Sequence, residues 1–298
     1  MQLPVVWHPG YSIAQPAEHP FPMGKFTVLG AWLDTPDYAL HRAPEATAAQ
    51  LLAVHDADYL AAMAAGTLER SQQRRIGFDC TPALAERCRL ETGGTIRTVA
   101  LALQQGLACN AAGGTHHAHR DFGAGYCLIN DLAVAARWAL DEAGVQRLLI
   151  VDLDVHQGDG TAALLAEEPR AFTFSMHCEK NFPARKARSD LDVGLARGLD
   201  DAGYLAELAA VLPWLLDTLN PDLVLYDAGV DVHGSDRLGY LALSDEGIST
   251  RDRYVLQSCR RRGIATAAVI GGGYDRDLGV LAARHALLFK AALATLRA

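Results

Sequence analysis

The chain has 298 residues, half of them apolar, enough to bury a sizeable core as one large domain or two small ones. Its 27 Lys and Arg against 35 Asp and Glu give a formal charge of −8, which excludes a general nucleic-acid binder, while the apolar content excludes a disordered chain. No basic, apolar leader opens the chain, no apolar run reaches the ~20 residues that cross a bilayer, and six scattered cysteines form no C-x-x-C pair. The expectation is a cytoplasmic protein with reduced thiols and no membrane partner.

In chain order, residues up to about 95 read as an irregular segment wrapped onto the rest of the domain. Apolar periodicity then predicts helices over Glu86–Gln105, Leu132–Glu142, Thr161–Glu167, Tyr204–Leu219, Asp245–Arg262 and Asp277–Leu296. Continuous apolar runs predict strands at Leu148–Val155, Ala171–Met176, Leu223–Ala228 and Ala265–Ile270. Such strands followed by helices indicate a single three-layer α/β/α domain over 1–298 with a mostly parallel sheet, its ligand sites at the carboxyl ends of the strands.

Chemistry-bearing residues gather at those ends. In Ile150-Val151-Asp152-Leu153-Asp154-Val155-His156-Gln157-Gly158-Asp159-Gly160, residues two apart in a strand share a face, so Asp152, Asp154 and His156 are expected to project together. Two carboxylates and an imidazole crowded at one strand end repel unless a divalent cation joins them. A small-residue strand leads into Gly113-Gly114-Thr115-His116-His117, where glycine-rich backbone can turn both imidazoles, natural proton carriers near neutral pH, into one cleft. Leu225-Tyr226-Asp227-Ala228-Gly229-Val230-Asp231 offers a further ligand, with Asp227 and Asp231 competing for the role. Val269-Ile270-Gly271-Gly272-Gly273-Tyr274 permits close backbone approach beside an aromatic hydroxyl and lacks the spacing of a nucleotide-binding loop.

These four segments, in this order from Gly113 to Tyr274, resemble the zinc-dependent histone deacetylase family of the arginase/deacetylase fold: G-G-x-H-H-A followed by G-[FY]-C-x-x-N-D, then D-x-D-x-H-x-G-D-G and G-G-G-Y. Glu18–Phe26 and Phe174–Pro183 look closest to class IV and its bacterial relatives. The resemblance implies Asp154, His156 and Asp231 as ligands of Zn2+, with Fe2+ a competitor for so oxygen-rich a set. It implies Asp152 and Asp159 as partners of His116 and His117, His117 as the main proton shuttle, and Tyr274 as the oxyanion donor. Gly125 then places a carbonyl near the leaving amine, and Tyr126 (where relatives carry Phe) and Phe182 line an acyl-lysine channel. A potassium ion is implied near Asp152, Asp154, His156, Ser175 and Met176.

Acetyl-lysine in a protein or peptide is the first expected substrate and another N-acyl amine the second. Leu238 stands where polyamine-selective relatives carry an acidic gatekeeper, which disfavours acetylpolyamines, and Lys180, Arg185, Lys186 and Arg188 would discourage a polycation. Asp79 is a candidate peptide anchor, and Lys25 a candidate for the back of the channel. His19, His41, His55, His119, His233 and His285 are expected to be structural or surface residues, and the cysteines packing residues. A non-catalytic acyl-lysine binder would be expected to lose Tyr274, a ligand or one of the paired histidines. A binuclear ureohydrolase would need a second ligand set.

Overall fold

The computed structural model describes residues 1–16 and 18–298. In chain order, strand β1 (Leu3–Trp7) is followed by helix α1 (Lys25–Leu33), β2 (Tyr38–Arg42), and helices α2 (Ala48–Leu52), α3 (Ala57–Ala65), α4 (Arg70–Ile76) and α5 (Pro82–Gln105). Then come β3 (Leu107–Asn110), α6 (Asp131–Asp141), β4 (Leu148–Asp152), α7 (Asp159–Leu165), β5 (Ala171–Cys178) and β6 (Leu191–Leu195). The chain closes with α8 (Asp201–Leu219), β7 (Leu223–Gly229), α9 (Asp245–Arg260), β8 (Ala265–Gly271) and α10 (Leu278–Arg297). The strands form one eight-stranded sheet in the order β2-β1-β3-β8-β7-β4-β5-β6, and every ladder is parallel.

The strand sequences explain this placement. Strands β3, β4 and β7 are buried at every position, as continuous apolar runs covered on both faces must be. Edge strand β6 alternates half-buried and exposed residues up to a buried Leu195 instead. Helices α1, α8, α9 and α10 pack as one connected layer, while α5 packs with α6 and against β1, β3 and β8. The long helix α5 starts where Thr81 caps Leu84 N–H and Pro82 takes the first turn, and α9 starts where the Ser244 hydroxyl accepts from Gly247 N–H.

Several sequence expectations need correction. The first 95 residues are not irregular: they supply β1, β2 and five helices or parts of helices, and β1 is inserted between β2 and β3. The helix expected from Glu86 begins four residues earlier at its capped Pro82, and the one expected at Thr161–Glu167 is Asp159–Leu165. The strand expected at Leu148–Val155 ends at Asp152, so Asp152, Asp154 and His156 do not share a strand face. Beyond Asp152 the backbone turns, Asp154 N–H donating to Asp152 Oδ1 at 3.1 Å and His156 N–H to Asp154 Oδ1 at 2.9 Å.

One buried arginine ties the centre of the sheet to the helical layer. Arg251 on α9 is fully buried, and its Nη1 donates to Leu153 O at 3.2 Å and Gly229 O at 2.7 Å, one carbonyl just past β4 and one at the end of β7. Asp252 balances the charge, accepting from Arg251 Nε at 3.0 Å and from the Tyr226 hydroxyl at 2.5 Å. Arg251→Met strands Asp252 and both carbonyls, so unfolding stability should drop by about 3–5 kcal/mol. Urea titration reads this directly, and an unchanged midpoint would remove the arginine from the account. The double variant with Asp252→Leu should recover part of the loss.

Candidate active site

The four decorated strand ends are separated by long stretches of sequence, yet β3, β8, β7 and β4 are consecutive neighbours in the sheet. The loops that leave their carboxyl ends therefore meet over one spot. There, ligand atoms of Asp154, His156 and Asp231 lie within 4.8 Å of one another, all buried. His156 Nδ1 faces Asp154 Oδ1 at 3.0 Å and Asp231 Oδ2 at 3.2 Å. One ring nitrogen carries at most one proton and cannot serve two carboxylates, and Asp231 Oδ2 is left buried with no well-directed hydrogen bond. Burial and the nearby Asp154 charge push the Asp231 carboxyl up to about 7. The chemistry of this donor set, two oxygens and one imidazole nitrogen around an unmet negative charge, fits a divalent cation.

Asp227, the competitor in the sequence, sits in a different group, with His116 and Asp152. Its Oδ2 lies 3.6 Å from His116 Nδ1, neither of its oxygens has a hydrogen-bond partner, and burial followed by Asp152 drives its pKa well above the carboxylate range. Backbone closeness here depends on glycine. A Cβ on Gly272, whose φ is +52°, would stand 2.1 Å from Asp231 Oδ2, and one on Gly158 would stand 2.3 Å from Asp152 Oδ2.

The start of α6 fixes the paired histidines. Thr115 N–H and hydroxyl both donate to Asp131 Oδ1, at 2.8 and 2.6 Å, while Asn130 Nδ2 donates to His116 O at 3.3 Å and Ala118 O at 3.1 Å. Behind them His55 Nε2 accepts from Asn130 N–H at 3.0 Å, leaving Nδ1 to donate to His119 O at 2.9 Å. His55 is thus a structural histidine, and burial lowers its pKa to about 4.

His116 and His117 differ in charge state. His116 Nδ1 lies 2.8 Å from Asp152 Oδ2, His117 Nδ1 lies 2.6 Å from Asp159 Oδ1, and the two Nε2 atoms are 3.2 Å apart. Burial acts to lower the pKa of His116, but the carboxylates of Asp152, Asp154 and Asp227 outweigh it and hold the ring protonated. For His117, burial and then the charge on His116 lower the pKa to about 3. Neutral His117 donates its Nδ1 proton to Asp159, and its Nε2 lone pair accepts from the protonated His116 Nε2 at 3.2 Å.

The structure changes the reading of one bystander. His119 Nε2 lies 3.0 Å from Asp159 Oδ2, so two imidazoles share the Asp159 carboxylate and hold its pKa well below the usual range against burial. Spacing alone hints at it, since His117 and His119 are two apart, but only the fold turns both toward α7. Asp236 was likewise missed: its buried carboxylate accepts from Tyr274 N–H at 2.8 Å and from the Leu238 and Gly239 amides, joining the tyrosine to the mouth of the channel.

That channel is a cavity of about 310 Å³ lined by His117, His156, Gly125, Tyr126, Phe182, Leu238 and Tyr274, among others. Phe182 packs edge-on to His117, ring centroids 4.7 Å apart. Tyr126 adopts φ +66°, a left-handed conformation that costs a bulky residue about 1–3 kcal/mol and here aims the ring into the channel wall. Lys25 lies at the back, as expected, bordering a small interior cavity of about 30 Å³ with Tyr274, Arg87 and Glu91. Its ammonium donates to Gly272 O, and burial lowers its pKa to about 8. Asp79 lines an outer cleft with His19 and Arg74 and not the channel. Ser175 pairs in register with Asp152, and it and Met176 are buried on β5.

The family model of the histone deacetylase domain matches residues 19–288. The chain belongs to the histone deacetylase family. An uncharacterized protein of Picosynechococcus is 50% identical over 297 residues, 98% of this chain and 99% of its own length. Histone deacetylase 2 of Arabidopsis thaliana is 30% identical over 87% of this chain and 70% of that protein, and human histone deacetylase 1 is 31% identical over 70% of this chain and 47% of the human protein. The crystal structure of the HDA15 HD domain superposes with a TM-score of 0.82 at 21% identity, covering all of this chain and 94% of that one. The fold is therefore of the arginase/deacetylase type, and membership of this deacetylase family supports a deacetylase hydrolase activity.

The support beneath the paired histidines should be pH-sensitive. His55 has a folded pKa of about 4 against 6.5 unfolded, so between those values the unfolded chain binds the extra proton and stability rises with pH. The contribution is complete above about pH 6.5 and is lost as pH falls toward 4. Urea unfolding across that window should show His55→Gln with a slope shallower by up to one proton, about 1.4 kcal/mol per pH unit. Equal slopes in the two proteins would refute it.

Proposed function

We propose that the chain is a zinc-dependent deacetylase, a single catalytic domain that hydrolyses the acetyl or another acyl amide on lysine side chains of proteins or peptides. The observation that carries this reading is the cation-shaped trio Asp154, His156 and Asp231, with its unmet carboxylate oxygen, beside the paired His116 and His117, where His117, His156 and Tyr274 line one cavity. Zn2+ suits the donors, and Fe2+ would suit the same set. When bound, the cation polarises the acyl carbonyl and lowers the pKa of water.

The remaining steps belong to the protein. Tyr126 and Phe182 flank the alkyl chain and exclude water, and the Gly125 carbonyl accepts from the amide N–H. His117, held neutral and oriented by Asp159, takes the proton from the attacking water at Nε2 as oxygen bonds to the carbonyl carbon. Cationic His116 stabilises the negative charge that grows beside it. The Tyr274 phenol stays protonated, because burial and then Asp231 raise its pKa, and donates to the tetrahedral oxyanion. His117 then returns the proton to the amine nitrogen as the C–N bond breaks, releasing carboxylate and free lysine.

A potassium ion, held partly by backbone carbonyls near Asp152, Asp154, His156, Ser175 and Met176, is part of the proposal. Small N-acyl amines are the second substrate class, consistent with the uncharged Leu238 at the channel. Purified protein loaded with Zn2+ should release acetate from acetyl-lysine peptides, and a fully loaded protein that cleaves no acyl amide would end the enzyme reading. Tyr274→Phe should keep the metal and lose about 100- to 1000-fold in kcat, and an unchanged kcat would remove its oxyanion role. Asp231→Ala should fall below one metal per chain by elemental analysis. Full occupancy in that variant would transfer the ligand role to another carboxylate such as Asp227.

A further inference from the structure

The mouth of the channel is opposite in sign to the chain as a whole. The cavity is lined toward solvent by Arg74, Arg75, Leu238 and Tyr240, and among the described residues no Asp or Glu lines it. Arg197 lies over the face of Tyr240, 3.6 Å from the ring centroid, and Arg75 lies over Phe122 at 4.8 Å. Arg237 follows on the same rim beside Leu238, close enough to Tyr126 to act on its phenol. Among the described residues, none of these four arginines forms an ion pair; the arginine–carboxylate pairs of the chain lie elsewhere. An arginine held on an aromatic face keeps its in-plane N–H fork open for a carboxylate.

These cations are tied to the channel wall. Gly125 N–H donates to Arg75 O at 3.2 Å, Tyr126 N–H to Ile76 O at 2.7 Å, and Gly198 N–H, next to Arg197, to Tyr240 O at 2.7 Å. Beside Phe182 the loop adds exposed Lys180, Arg185 and Arg188, while Lys186 turns inward to donate to Asn181 O and Pro183 O. Asp79 lies in one adjoining cleft with Arg70 and Arg74, and Glu18 and Asp275 line another with Arg237 and Arg276, whereas Arg75 and Arg197 line neither. Screening over about 10 Å means that this rim, and not the net charge of −8, sets the field a bound substrate meets.

We propose that the mouth selects acyl-lysines in an acidic sequence context, a peptide or protein segment with Asp or Glu within a few residues of the modified lysine, its carboxylates pairing with Arg75 and Arg197. The proposal rests on the deacetylase reading of the site below it, and it makes a polycationic tail a poor substrate. The test uses the full chain loaded with Zn2+ and three acetyl-lysine peptides of equal length, flanked by Glu and Asp, by Gly and Ser, or by Lys and Arg. The acidic peptide should exceed the basic one by about tenfold or more in kcat/KM, chiefly through KM, with the gap closing from roughly 20 to 300 mM salt. Arg75→Glu combined with Arg197→Glu should invert the ranking, and the matching Lys variants should largely preserve it. Equal or inverted ranking in the unaltered protein overturns the proposal. So does a preference for free N-acetyl-lysine over its amide with no difference among the peptides, which would assign the anion to the substrate's own α-carboxylate. Failure to cleave even the neutral peptide counts against the deacetylase reading alone. The charge preference is then decided by fluorescence anisotropy of labelled acidic and basic peptides on the metal-free chain, where tighter binding of the acidic one upholds it and equal binding overturns it.

Discussion

Four aspartates occupy one buried layer at the carboxyl ends of two neighbouring strands: Asp152 in β4 and Asp154 just past it, Asp227 in β7 and Asp231 just past it. Such crowding is unstable without compensation, because each charge has lost its water and faces others like it. The surrounding groups are those that relieve it. His116 carries a proton between Asp152 and Asp154, Asp227 is driven toward its neutral form, and the remaining deficit falls on Asp154, His156 and Asp231, where a cation fits. Arg251 acts from beneath, holding the carbonyls of Leu153 and Gly229 so that the turns carrying Asp154 and Asp231 are tied together. The site is thus first of all an electrostatic balance.

That balance also separates two chemically identical side chains. His116 looks toward the aspartates and is held as a cation, while His117, one residue on, is packed against that cation and loses its proton. Asp159 keeps His117 in the tautomer that leaves Nε2 unprotonated, and it is itself steadied by His119. A base and a fixed positive charge therefore arise from one dipeptide because neighbouring carboxylates are distributed unevenly around it.

Much of this was legible in the residues. Strands β4, β7 and β8 are apolar runs ending in Asp or Gly, so their type and the chemistry at their ends are local properties. The amino-terminal strands were not legible: β1 is five residues with Pro4 inside it, β2 is an edge strand with only its first residue fully buried, and they become strands by pairing, β1 with β2 and β3, and β2 with β1. Periodicity placed Asp152, Asp154 and His156 on one face, and failed because hydrogen bonds from Asp154 N–H and His156 N–H curl the backbone after Asp152. The parts played by His119, Asp236 and Arg251 depend on partners roughly 22 to 98 residues away, a range at which spacing carries no signal.

The channel hangs from two different supports. Its floor, Asp154, His156, Asp231 and the paired histidines, is set by the central strands and the start of α6, whereas the wall at Gly125 and Tyr126 donates its backbone N–H groups to the Arg75 and Ile76 carbonyls at the end of α4. Helix α4 is seven residues long and lies outside the sheet. Changes along residues 70–80 can therefore retune the width and charge of the opening while the buried electrostatics stay as they are. Selectivity and reactivity are separable traits in this architecture, free to diverge between relatives without the reaction centre being rebuilt.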